Sequence, residues 1–205
     1  MHITLMRHGK PQFHEAQWLA PFDMPGWVAH DDQSTVMAAD IPTTSVKAAM
    51  AASAIVASTT SRALASVQAL GLEATLADAV LCEAQLPFAL WRFPHLPPQF
   101  WAALFRLLWL FGYARGSDSI QATRTRAKVA AQQLISLAQK GPVLLVGHGI
   151  MNRLIANELL ALGWANGTRH ASRYWSVSAY EVAANEGLDD QTPESASECV
   201  HARRK

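Results

Sequence analysis

The chain is poor in cysteine, in charge and in long apolar runs. Of 205 residues two are cysteines, Cys82 and Cys199, far apart in sequence, the second in a polar stretch. That pair offers neither a disulfide framework nor metal-ligand spacing, and a reducing compartment is the plain inference. Charged residues make up 16% and the formal net charge is +1. No field of one sign covers the molecule, which argues against nucleic acid as a partner and confines any basic feature to a local site. The longest apolar stretch, Phe100 to Tyr113, is shorter than the ~20 residues of a membrane span and carries Arg106. Met1 followed by His2-Ile3-Thr4-Leu5-Met6 lacks the basic and small-residue flanks of an export signal, so a cytoplasmic location is expected.

What is present reads as alternating buried strands and helices. Residues 2–7 form a short apolar run that ends at Gly9, with Pro11 blocking helix continuation. The stretch 14–40 lacks a sustained period and reads as loop with at most a helical turn. Asp40 is placed to cap a helix over about 42–52, residues 53–58 form a second strand, and 59–70 a helix. Ala79 to Glu83 is a third apolar run. Residues 120–140 make a long amphipathic helix with Arg124, Arg126, Lys128 and Lys140 on its outer face, stopped by Gly141-Pro142. Val143-Leu144-Leu145-Val146 is the clearest buried strand, ends at Gly147-His148-Gly149 and precedes a helix to about Leu162. Tyr174 to Val182 alternates partly, as an edge strand would, and residues 183–205 turn polar, as a mobile tail would. The expected fold is therefore α/β, a three-layer α/β/α sandwich with a mostly parallel central sheet: one domain over 1–182 with a lid-like helical insertion at 84–118.

In a parallel sheet the carboxyl ends of the strands share one edge, where ligands bind. Arg7 and His8 follow the first strand, Arg62 lies four residues beyond Ser58 of the second, Glu83 ends the third run and His148 follows the fourth strand. Each of these alone has an ordinary reading as a turn histidine, an exposed helix arginine or a solvated carboxylate. Together they suit phosphoryl transfer, since arginine forks match phosphate oxygens and histidine serves as nucleophile or proton carrier near neutral pH. Asp78 and Asp118 compete with Glu83 for the acid role, and Ser58 and Asn152 have plain capping or helix-surface explanations.

At these residues the sequence resembles the histidine phosphatase superfamily, which includes cofactor-dependent phosphoglycerate mutases and many small phosphatases. The resemblance rests on Arg7-His8-Gly9, on Ser58-Thr59-Thr60-Ser61-Arg62-Ala63, on Glu83, and on Val146-Gly147-His148-Gly149, in order over roughly 1–182. It implies a metal-independent, cofactor-free phosphomonoesterase in which His8 attacks phosphorus and carries a phosphohistidine. Arg7, Arg62 and His148 would bind the phosphate, His148 as a cation or a donor. Glu83 would protonate the leaving oxygen and then activate water, which calls for a partly closed pocket.

The sequence departs from the family at Lys10-Pro11, where a small hydroxyl residue or glutamate is usual, and it lacks the asparagine- and tryptophan-rich pattern of mutases. Hydrolysis of a small phosphorylated metabolite is the expected activity. The alternatives are a catalytically weak or silent phosphate-binding member, and a mutase or phosphoprotein phosphatase. The insertion is the least family-like stretch. As a helix, 100–111 is apolar on nearly every face, so it needs a body to pack on, a second copy of the chain, or a membrane surface. The plainer expectation is a lid helix packed on the body or on a second copy of the chain; the sharper one is that its rings, Trp101 among them, line a pocket for a hydrophobic leaving group, with Arg92, His95 or Arg115 reaching any second anion.

Overall fold

The computed structural model describes residues 1–12, 18–37, 41–167 and 173–182. The cap expected at Asp40, Cys199 and the polar tail over 183–205 lie outside them. Six strands form one sheet among the described residues: β1 (His2–Arg7), β2 (Ala54–Ser58), β3 (Leu76–Asp78), β4 (Val143–Gly147), β5 (Trp164–Asn166) and β6 (Val177–Val182), in the order β3-β2-β4-β1-β6-β5. The first four are mutually parallel, and β6 runs antiparallel to both β1 and β5.

Alternation along the strands divides the core. Ile3, Leu5, Val56, Val143 and Leu145 face α5 (Ile120–Ala138) and α6 (Gly149–Ala161), while Met6, Ile55, Ala57, Leu144 and Val146 face α2 (Thr43–Ala51) and α3 (Ser61–Ala69). A strand apolar at every position suits a sheet covered on both sides, and β4 is buried throughout. The expected three layers are therefore present.

Over the carboxyl end of the sheet lies a separate apolar cluster, built by α1 (Met24–Gln33), α4 (Pro98–Leu110) and the segment before α4. Pro25 and Pro98 occupy first turns, where a missing N–H costs nothing. Trp101, Phe105 and Trp109 recur at four-residue steps and are buried on one face of α4, whereas Phe100, Leu107, Leu110 and Phe111 remain exposed on the other. The Trp101 and Trp109 indoles donate to the Leu19 and Asp118 carbonyl oxygens, both at 2.8 Å. Leu19 and Leu96 exchange backbone hydrogen bonds, which ties the segment before α1 to the insertion.

Four local expectations are corrected. The region 14–40 holds a ten-residue helix, α1, which its low amphipathicity conceals. The third strand is Leu76–Asp78; Ala79–Leu81 is a 3-10 turn, because the Asp78 carboxylate accepts from Val80 N–H and turns the chain. The last strand, β6, is not an edge, since β5 pairs outside it. Arg126 does not face solvent: its guanidinium donates inward to the carbonyl oxygens of Val80, Cys82 and Glu83.

Gly147 ends β4 where there is no room for a side chain. A Cβ there would stand 2.4 Å from Asn152 Oδ1, and the buried Asn152 is already fixed by donating from Nδ2 to Met6 O at 2.9 Å. Gly147→Ala should therefore destabilise the fold by about 1–3 kcal/mol, read as a lower urea midpoint at unchanged slope; an unchanged midpoint would mean that Asn152 yields freely.

Candidate active site

The pairing of β1 with β4 sets the site. Arg7 lies opposite Gly147, and His8 N–H donates to Gly147 O at 2.9 Å, so His8 and His148 leave the sheet side by side with ring centroids 5.0 Å apart. On the other flank Ala57 pairs with Val146, which brings Ser58 level with the end of β4 and its hydroxyl to 2.7 Å from His148 Nε2. Thr60 Oγ1 adds a contact at 3.2 Å. Arg62, from the first turn of α3, reaches back so that Nη2 donates to His148 Nδ1 at 3.4 Å.

The nucleophile candidate is held in one tautomer. His8 Nδ1–H donates to Gly9 O at 2.8 Å, which leaves the lone pair on Nε2. Gly9 N–H donates to Ser66 Oγ at 2.8 Å, and that hydroxyl donates to Arg62 O at 2.6 Å, so one serine couples the histidine loop to the arginine helix. The indole of Trp175 closes the other side of Gly9, where a Cβ would come within 2.4 Å of the ring. Tyr174 packs on His8 at 5.6 Å between centroids and lies under the Arg7 guanidinium at 4.3 Å.

Both histidines are neutral in this arrangement. Burial, then the Arg62 and Arg7 charges, push His8 down to about 3, although the Gly9 bond works the other way. His148 is fully buried and lies well below the ordinary histidine value, through burial first and then His8, Arg62 and Arg7. The cation or donor expected at His148 is thus a neutral ring whose Nε2–H is given to Ser58 and whose Nδ1 accepts from Arg62.

Glu83 stands across the cleft and closes the amino end of α6. Its Oε1 accepts from Met151 and Ala84 N–H at 2.9 Å each, and its Oε2 from Ile150 N–H at 3.1 Å. A carboxylate at a helix amino terminus satisfies amides that would otherwise lack partners. Arg126 braces the loop carrying Glu83 from below, and Arg106 of α4 braces it from above through Ala84 O at 2.9 Å. Asp31 and Asp32, in the last turn of α1, bind Arg62 Nη1 at 2.8 and 2.6 Å. Burial foremost pushes the Asp31 carboxyl above its usual range, with Asp32 adding to the effect and Arg62 opposing it.

One cleft of about 850 Å³ opens on these residues, with His148 and Ser58 fully buried behind its floor. Its polar floor holds Arg7, His8, Arg62 and Glu83, and Met24, Trp27, Leu86 and Phe88 form an apolar wall. Of the lid residues expected from sequence, none faces it. Trp101 is buried inside the α1–α4 cluster, Arg92 stacks on Phe22, and the exposed His95 stands edge-on to Phe93. Arg106, which sequence marked only as an interruption of an apolar run, is the cation of α4 that lines the cleft. Arg115 and the exposed Lys10 do not line it, and Asp78 is engaged by Val80 N–H and Gln133 instead. Sequence reasoning missed Asp31, Asp32, Ser66 and Tyr174. No periodicity or motif marks them; the adjacent pair Asp31-Asp32 is the one local signal.

A search of curated proteins gives no match. Solved structures share the fold at low identity. Bacillus stearothermophilus YhfR is 17% identical, covering 92% of this chain and 98% of its own, with a TM-score of 0.57. A putative alpha-ribazole-5'-P phosphatase from Escherichia coli is 17% identical, covering 87% and 89%, at 0.54. A mycobacterial glucosyl-3-phosphoglycerate phosphatase with VO3 is 22% identical, covering 78% and 82%, at 0.52. The family model of the histidine phosphatase superfamily, branch 1, matches residues 3–188, and the chain belongs to that superfamily.

Proposed function

We propose that this protein is a phosphatase that hydrolyses a small phosphomonoester with an apolar or aromatic leaving group, through a phosphohistidine on His8. The observation that carries the reading is the neutral His8, whose Nε2 is left with its lone pair at a cleft floor shared with Arg7 and Arg62, and whose ring lies beside that of the buried His148. Phosphoglycerate-type transfer lacks such support, because the cleft wall is apolar.

In the first step His8 Nε2 forms a bond to phosphorus as the bond to the ester oxygen breaks. Arginine donors counter the charge on the non-bridging oxygens. The leaving oxygen takes a proton from Glu83. Of the two carboxylate oxygens Oε2 accepts a single backbone bond, so it retains the capacity to carry that proton. Water, deprotonated by Glu83, then displaces His8 and yields inorganic phosphate. His148, neutral and buried behind the floor, would act through Arg62, from whose Nη2 its Nδ1 accepts.

Three outcomes test this. His8→Ala should lower the hydrolysis of an aryl phosphate by roughly three orders of magnitude or more, with the wild-type rate insensitive to a chelator. The wild type, quenched during turnover, should carry acid-labile, base-stable label on His8; label on serine or on a carboxylate removes the nucleophile assignment.

Because His8 stays neutral down to about pH 3, acid should not switch off the nucleophile in the ordinary histidine range. Corrected for the substrate's own ionisation, kcat/KM should hold as pH falls through about 6.5, and an acid limb centred there would show that His8 protonates freely.

Replacing Trp27 and Phe88 with Ala should raise KM for phenyl phosphate several-fold, about 5- to 20-fold, and change KM for glycerol phosphate little. An equal change for both substrates would remove the apolar leaving-group assignment.

A further inference from the structure

Arg62 is gripped at one end and open at the other. Its Nη1 donates to Asp31 Oδ2 at 2.8 Å and forms a second ion pair with Asp32 Oδ1 at 2.6 Å. Two carboxylates thus occupy the Nη1 end of the guanidinium. Nη2 makes a single long contact, 3.4 Å to His148 Nδ1, and Nε is buried without a hydrogen-bond partner among the described residues. The side chain as a whole is almost completely buried.

A guanidinium can present two forks, the end-on pair Nη1/Nη2 and the side-on pair Nε/Nη2. Here the carboxylates consume the first and leave the second intact. A buried N–H without a partner is costly, so an Nε in this state marks a donor meant for a ligand. Two negative charges beside an anion site would by themselves weaken it. Carboxylates that served only to block the site would take the whole fork an anion needs; these take one nitrogen and spare a complete pair.

We propose that Asp31 and Asp32 are positioning residues that fix the plane of Arg62, so that its Nε/Nη2 pair receives the phosphoryl oxygens. The inference rests on the phosphatase reading above. It gives α1 a direct part in the chemistry: the helix that supplies Met24 and Trp27 to the apolar wall also aims the arginine of the floor. Since both carboxylates pair with Nη1, either one alone still restrains the guanidinium, and the loss on removing both exceeds that on removing one.

The test compares wild type with Asp31→Ala, Asp32→Ala, the double Ala variant and the double Asn variant, which keeps two neutral acceptors. Orthovanadate inhibition, kcat/KM for phenyl phosphate and for glycerol phosphate, and melting temperature are read for each. The double Ala variant should bind vanadate about tenfold more weakly and lose kcat/KM for both substrates by a similar factor, with single variants losing about threefold or less. The double Asn variant should lie in between, and its loss alone suffices if the double Ala variant does not fold. Tighter vanadate binding in either double variant would mean that the carboxylates compete with the anion and overturns the proposal. Unchanged affinity in an active, folded double Ala variant overturns it as well. A wild type that neither hydrolyses an aryl phosphate nor binds vanadate overturns the phosphatase reading together with this one, an outcome distinct from an active enzyme indifferent to Asp31 and Asp32.

Discussion

The parallel pairing of β1 with β4 is the constraint on which the site depends. Once Arg7 lies opposite Gly147, the backbone bond from His8 N–H to Gly147 O leaves little freedom in where the two histidines emerge. A slip of one residue would send His8 to the other face of the sheet and exchange the side chains fitted to its two cores. The register is therefore held by the whole apolar content of Ile3, Leu5, Met6 and Val143 to Val146. Asn152 adds a lock specific to the site, since it ties α6 to Met6 O directly beside Gly147.

Charge follows from that geometry. Two imidazoles and two guanidiniums brought together in a buried corner cannot all be cationic without a counter-ion. The arginines keep their protons over any accessible pH, so burial first, and their charge after it, leaves the histidines neutral. A neutral His8 is also what a nucleophile requires, and the Gly9 carbonyl decides which nitrogen holds the lone pair. The same crowding that makes the corner hospitable to an anion thus prepares the group that would attack it.

Arg7, His8, Arg62 and His148 could be placed together from sequence because each follows a strand end, and parallel strands share an edge whatever the intervening chain does. The three-layer fold was legible for the same reason, from runs such as Val143–Gly147 that tolerate apolar neighbours on both sides. What stayed hidden depends on tertiary contact. Helix α1 has no strong apolar stripe, because its last turn spends Asp31 and Asp32 on Arg62 instead of on solvent or core. Arg126 sits among charged neighbours on a helix that looks solvated there, yet three carbonyl oxygens of the 80–83 turn draw it inward. Trp101 looked like a pocket residue because any large ring in an insertion does; burial against Leu19 and Phe105 decides otherwise.

The division of the core into separate clusters has a consequence for how such a site can change. The floor of the cleft hangs on the sheet, whose packing with α2, α3, α5 and α6 cannot alter without loss of register. The wall hangs on α1 and α4, which share an apolar cluster with Leu19 and Leu96 as its seam, although α1 also packs on α3. Substitutions in the wall can therefore reshape the space for a leaving group without moving His8 or His148. Two contacts prevent complete independence: Arg106 from α4 holds the loop bearing Glu83, and the aspartates of α1 hold Arg62. A change of wall that shifted either helix would be felt on the floor through these two arginines, so any drift in substrate preference must keep both in place.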